Sequence, residues 1–137
     1  MTLEPKRGGI VLGDAERLVF VPATIAQKVV PSPDLARVPG AHADLLGIAQ
    51  VDGVVLPVVA IGQGARGAML VVSHLGEPIG LVGADILVTG AFEAVGDGAS
   101  VRYDGRVARP LELEAIYARL QASSWVGARE SRRGSSR

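Results

Sequence analysis

Gly62-Gln63-Gly64-Ala65-Arg66-Gly67 spells a GxGxxG loop directly after the apolar run 54–61. In a dinucleotide site such a loop opens a helix, and the helix N-terminal amides receive the pyrophosphate. Here Ala68-Met69-Leu70-Val71-Val72-Ser73-His74 follows, and then Leu75-Gly76-Glu77-Pro78. That run is β-branched and too short for the crossover helix of a βαβ unit. Asp85 lies at about the ribose-binding spacing, a cheap coincidence. The loop therefore reads first as a flexible connector between two sheets. Binding of a nucleotide or small molecule through Gly62 to Gly67 is the alternative.

The other reactive side chains are scattered. His42 sits in a Pro/Gly loop and His74 ends an apolar strand beside Ser73. A Ser-His-Asp site needs a third partner and a turn that presents the nucleophile, and no GxSxG occurs. No HxxH or HExxH spacing supports a metal. Asp44, Asp52, Asp85, Asp97 and Asp104 each lie next to Gly or in a probable turn, where Asp commonly bonds its own backbone; nothing selects an acid–base pair. There is no Cys, so disulfides and thiolate chemistry are excluded. No catalytic, cofactor-binding or metal-binding residue is assigned.

The elements that would position any site are mostly strands. Nearly half of the residues are apolar (48%), enough for a sizeable core, but only 4% are aromatic, so Val, Leu, Ile and Ala must fill it. With 18 Gly and 8 Pro punctuating short Val-rich runs, the pattern is that of an all-β chain with many turns. Strands are expected near 9–12, 18–21, 28–30, 47–51, 54–61, 68–74, 79–82, 86–88, 92–95, 100–103 and 106–109. Reverse turns fall at Asp52-Gly53, Leu75-Gly76-Glu77-Pro78 and Asp104-Gly105; Asp-Gly between apolar runs is a strong hairpin signal. Pro31, Pro33, Pro39 and Gly40 mark a loop, and 41–46 is compatible with a single helical turn. Leu111, Leu113, Ile116, Tyr117 and Leu120 share one face of a helix, with Glu112, Glu114 and Arg119 towards water.

Net charge is zero, but residues 127–137 carry four arginines against one glutamate, +3, leaving −3 on the rest. A neutral body gives no electrostatic reason for nucleic-acid binding. The polar N-terminus, with Lys6 and Arg7, is not followed by the apolar core of a secretion signal. The longest apolar stretch, 54–61, contains Pro57 and is too short to span a bilayer. The cytoplasm is the expected compartment.

The run Leu45-Leu46-Gly47-Ile48-Ala49-Gln50-Val51-Asp52-Gly53-Val54-Val55-Leu56-Pro57-Val58-Val59-Ala60-Ile61 resembles the signature of CheW-like domains. That signature has a Gly-hydrophobic start, then Asn-Leu-Arg-Gly, then a strand ending Leu-Pro-Val-Val-Asp-Leu. Leu12-Gly13-Asp14, Leu18 to Ala23, Lys28-Val29-Val30 and Val38-Pro39-Gly40 are similar to the family's opening hairpin, third strand and following loop. The stretches 68–82 and 104–116 are similar to its central hairpin, closing strand and C-terminal helix. The resemblance spans about residues 9–121.

This resemblance implies an all-β fold: two small SH3-like β-barrels packed on a shared core, with one C-terminal helix. With the shift to Gly, Ser and Arg after Trp125, the chain is expected to divide into an N-terminal arm (1–8), a CheW-like domain (9–122) and a disordered basic tail (123–137). It also implies a non-catalytic chemotaxis adaptor, coupling the cytoplasmic tip of chemoreceptors to the regulatory domain of a CheA-type histidine kinase. The departures are polar. Gln50-Val51-Asp52-Gly53 stands for Asn-Leu-Arg-Gly, Lys28 stands at or beside a usual Glu, and Ala60 replaces the closing Asp. Fold-specifying apolar, Gly and Pro positions are kept while positions associated with partner contact change. Lys28, Gln50, Val51, Asp52 and Gly53 are thus the expected partner-binding residues. A divergent paralogue with a different protein partner stands beside the orthodox role. For Lys28 and Asp52 three readings are open: a local pair of reversed polarity, two charges facing a partner, or two unrelated surface charges.

Overall fold

The computed structural model describes residues 6–14, 17–39, 45–64, 67–96 and 98–121. Along these run β1 (Lys6–Gly13), β2 (Leu18–Pro22), β3 (Ala26–Pro31), β4 (Leu45–Val51), β5 (Val54–Ala60), β6 (Ala68–His74), β7 (Glu77–Val82), β8 (Asp85–Val95), β9 (Ser100–Tyr103), β10 (Arg106–Pro110) and α1 (Leu113–Gln121). Strands β1, β2, β10, β9 and β8 close into a barrel; β3, β6, β7, β5 and β4, in that order, form a second sheet. The chain begins in the barrel, builds the whole second sheet, and returns to finish the barrel.

Period-2 alternation divides the apolar residues among three cores. In β1, Val11 joins Leu18, Phe20, Val101 and Ala108 inside the barrel, while Ile10 and Leu12 face the other way. In β6, Met69 and Val71 join Ala49, Leu56, Val58 and Val82 within the second sheet. Leu70 and Val72 turn instead to the shared core, with Ile10, Leu12, Val21, Leu45, Val59, Ile79 and Leu81. Helix α1 covers that core with Leu113, Ile116 and Leu120, as its period predicts, and Leu111 and Tyr117 pack at its edge. The expected all-β architecture on a shared core with one C-terminal helix is what forms, as one closed barrel and one five-stranded sheet.

Both units use one plan. In the barrel the β1–β2 and β9–β10 pairs meet through a parallel β2–β10 contact; in the second sheet β6–β7 and β4–β5 meet through a parallel β5–β7 contact. They differ in how they close. Eleven-residue β8 pairs with β1 along most of its length and then with β9 through Ala94 and Val95. Its counterpart β3 pairs with β6 and stops at Pro31, and Pro33 follows closely; neither proline can donate to a ladder. Closure falls to Ala36, which exchanges two backbone hydrogen bonds with Ile48 of β4, at 2.9 and 2.8 Å. Because Ile48 directs both of its backbone groups to Ala36, its pairing with Pro57 on the other side demands no N–H.

The three reverse turns share one geometry, which the residues of the two Asp-Gly turns favour and which Leu75 adopts against the usual preference of its side chain. Asp52, Leu75 and Asp104 have φ of 51°, 51° and 52°, each followed by a glycine at φ 82°, 82° or 73°. Two consecutive positive φ values match the twist of a two-residue hairpin.

Several boundaries differ from expectation. β1 starts at Lys6, so Lys6, Arg7 and Gly8 of the expected arm are strand, paired with Glu93, Phe92 and Ala91. The strands expected at 86–88 and 92–95 are one, because β1 pairs straight through Thr89, Gly90 and Ala91. Glu77 and Pro78 belong to β7, leaving Leu75-Gly76 as the turn. Leu45 and Leu46 are strand rather than helical turn; the rest of that expected turn, with His42 and Asp44, and the tail 123–137 lie outside the described residues, as does Asp97.

Candidate partner-binding surface

Lys28 lies on β3 and Gln50 to Gly53 form the end of the β4–β5 hairpin. These elements are the two margins of the second sheet. The sheet curls enough for Lys28 Nζ to donate to Asp52 Oδ2, so the two charges form a direct ion pair. Their side chains are 41% and 76% exposed. Water screens a pair so exposed, and it contributes on the order of 0–1 kcal/mol. All five sequence-predicted residues come together at one rim. Val51 packs at the edge of the second sheet's core, whereas Gln50, Asp52 and Gly53 are exposed.

Sequence reasoning missed the apolar part of this rim. Val29 follows Lys28 and is 47% exposed; Val54 and Val55 follow Gly53 at 48% and 63%. Val54 pairs with Val51 and Val55 with Gln50. A strand opening Val-Val-Leu reads as core, and only the register shows that both valines face water while Leu56 is 2% exposed.

The glycine loop is structural. It joins β5 to β6 within one sheet and leads into a strand, so it does not open a helix; Ala65 and Arg66 lie outside the described residues. The expectation of a flexible connector between sheets is corrected by its ties. Ile61 N donates to Val82 O at 2.9 Å, Gly64 N to Gly83 O at 2.7 Å and Gln63 N to Asp14 Oδ2 at 3.2 Å. Arg17 also donates to the Ile61 carbonyl. A Cβ on Gly62 or Gly64 would meet the Gly83 carbonyl at 2.7 or 2.8 Å. These glycines allow two backbones to touch, which accounts for them without a phosphate.

His74 ends β6 as expected and stacks on Tyr117 of α1, ring centroids 5.1 Å apart. The Tyr117 hydroxyl donates to the Glu77 carbonyl at 3.4 Å. Burial, and secondarily the negative charge of Glu77, raises the Tyr117 pKa above its ordinary value. Beside this pair Ile25, His74, Leu111, Glu112, Leu113, Glu114 and Ala115 line an open depression of about 480 Å³. Ser73 N bonds the Ile25 carbonyl at 2.9 Å.

The described carboxylates stay dispersed: Asp52 and Asp104 lie in turns of different sheets, and Asp85 pairs with Gly13 at the start of β8. Among the described residues no cluster of three or more His, Asp or Glu could hold a metal, and no helix is long and apolar enough to cross a membrane.

No family model matches the chain, and no curated protein matches it. Among solved structures it is similar to the scaffolding protein TtCheW from Thermoanaerobacter tengcongensis, with a TM-score of 0.63 and 19% identity, over 79% of this chain and 90% of that one. At that identity the likeness is one of architecture: the chain has a CheW-like fold.

Proposed function

We propose that this chain is a non-catalytic signalling adaptor of the CheW type, working in the cytoplasm without a cofactor. Its partners are the regulatory domain of a CheA-type histidine kinase and a chemoreceptor tip, or their divergent counterparts in a pathway that uses a paralogue. The fold likeness to a scaffolding protein supports the class. One observation carries the choice of surface: Lys28, Gln50, Asp52 and Gly53 gather at one exposed rim, flanked by exposed Val29, Val54 and Val55. Apolar anchors of this kind supply affinity, and a polar rim selects among partners. The polarity of the Lys28–Asp52 pair is opposite to that of the family it resembles. A partner matched to the usual order would meet like charges here, a penalty of several kcal/mol.

Binding of the purified chain to a CheA-type regulatory domain and to a receptor tip tests this. The variant Lys28→Glu/Asp52→Arg is expected to change affinity for one of them by about tenfold or more, with an unchanged unfolding midpoint. Unchanged affinity for both would remove this rim from the function.

A further inference from the structure

The second unit closes differently from the first, and the difference has a mechanical consequence. Residues 32–39 cross the interruption between β3 and β4. Ser32 N donates to Gly67 O at 3.1 Å, and the two Ala36–Ile48 hydrogen bonds hold the middle. Leu35 packs on the core of the second sheet and Val38 on the shared core, both partly buried. The segment rests on bare backbone at Gly47, where a Cβ would meet Ala36 O at 2.7 Å and Leu35 Cβ at 3.1 Å. On the same side the Lys28–Asp52 pair links β3 to the β4–β5 turn. In the barrel the equivalent closure is a strand ladder along β8.

Among the described residues, opening this side breaks the Ser32–Gly67 hydrogen bond, the two-bond Ala36–Ile48 bridge, the seating of Leu35 and Val38 and an exposed ion pair. The β6–β7 ladder and the buried residues of the shared core remain in place. Free energies of local opening scale with what is broken, so this seam separates more readily than the whole domain unfolds. Beneath it lie Ala49, Leu56, Val58, Met69 and Val71.

We propose that residues 32–39 form a strap that opens and closes the β3–β4 side of the second sheet, with Lys28–Asp52 as its latch. Opening exposes one edge of β4 and part of that sheet's core while the rest of the fold stands. The inference rests on the closure geometry alone and is independent of which partner the protein binds.

Amide hydrogen exchange by NMR on the full chain tests it. In the wild type the amides of Ala36 and Ile48 exchange about tenfold or more faster than the slowest amides of β6 and β7. Asp52→Asn keeps a residue suited to positive φ in the turn and removes the charge; it accelerates those two amides about two- to fivefold, and the unfolding midpoint falls by no more than the loss of one exposed ion pair accounts for. Gly47→Ala pushes on Ala36 and accelerates the same two amides further; if that variant does not fold, Asp52→Asn decides alone. Exchange of Ala36 and Ile48 at the rate of the β6–β7 core overturns the strap. An Asp52→Asn variant that leaves them unchanged overturns the latch.

Discussion

Lys28 and Asp52 are 24 residues apart in sequence and meet as an ion pair across the side of the second sheet where the strand ladder is interrupted. By the resemblance, Asp52 stands where Arg is usual and Lys28 at or beside a usual Glu, and each has the other as its neighbour. A local pair of reversed polarity is therefore the arrangement present in the free protein.

A double-mutant cycle of Lys28→Glu and Asp52→Arg measures the pair. Both side chains are exposed, so the coupling in stability is about 0.2–1 kcal/mol, and it shrinks as salt is raised from 0.05 to 0.5 M. Each single variant places like charges together and is less stable than the double variant. Strict additivity in chemical denaturation would show that the two charges do not interact in solution.

The turn beneath the pair makes a separate prediction. Gly53 has φ 82°, and no atom lies within 4 Å of a Cβ built there. Gly53→Val therefore meets no steric obstacle, and its whole effect comes from the backbone conformation, on the order of 1–2 kcal/mol. An unchanged denaturant midpoint would mean that the turn is not held with positive φ.

Tyr117 gives a pH dependence. Burial and then Glu77 raise its pKa above 10.0, so the folded state holds the phenolic proton more tightly than the unfolded chain does. The stabilisation is fully present below the unfolded value and is lost as pH rises through the folded one. Denaturant midpoints followed above pH 10 should fall, and Tyr117→Phe should remove the part due to this group. Glu77→Gln keeps the backbone carbonyl that accepts from Tyr117 and lowers the Tyr117 pKa in an absorbance titration of the phenolate. No change in that titration would show that the Glu77 charge does not reach the ring.

Local chemistry made most of this architecture legible. The Asp-Gly turns announced two hairpins, a short β-branched apolar run announced β6, and the spacing of Leu113, Ile116 and Leu120 announced the helix face. Elements fixed by distant pairing were not legible. Thr89, Gly90 and Ala91 are exposed and lack an apolar alternation, yet β1 holds them in a strand through Gly8, Gly9 and Ile10. Lys6 and Arg7, though polar, are strand for the same reason: they extend β1 along the far end of β8. At the candidate surface, the resemblance located Lys28 and Gln50 to Gly53, but exposed Val54 and Val55 looked like core. Their exposure follows from register at a hairpin end, and sequence alone does not carry it.

The glycine loop can be separated from any ligand role by comparing three glycines. Gly83 combines φ 94° with a Cβ position 2.3 Å from the Gly62 carbonyl, and a Cβ on Gly62 would meet Asp14 Oδ2 at 2.6 Å and Gly83 O at 2.7 Å. Nothing lies within 4 Å of a Cβ on Gly67, and its φ is not in the left-handed region. If the motif serves backbone packing, Gly83→Ala and Gly62→Ala should each destabilise, the former by roughly 2 kcal/mol or more through strain and overlap together. Gly67→Ala should be neutral or slightly stabilising, since it restricts the unfolded chain. A phosphate-cradling loop would behave differently: added nucleotide would raise the unfolding temperature of the wild type, and substitution at Gly67 would abolish that rise. Thermal unfolding of the wild type and the three variants, with and without nucleotide, distinguishes the cases. The packing account requires a large loss at Gly83 and Gly62, none at Gly67, and no response to nucleotide in any of the four proteins.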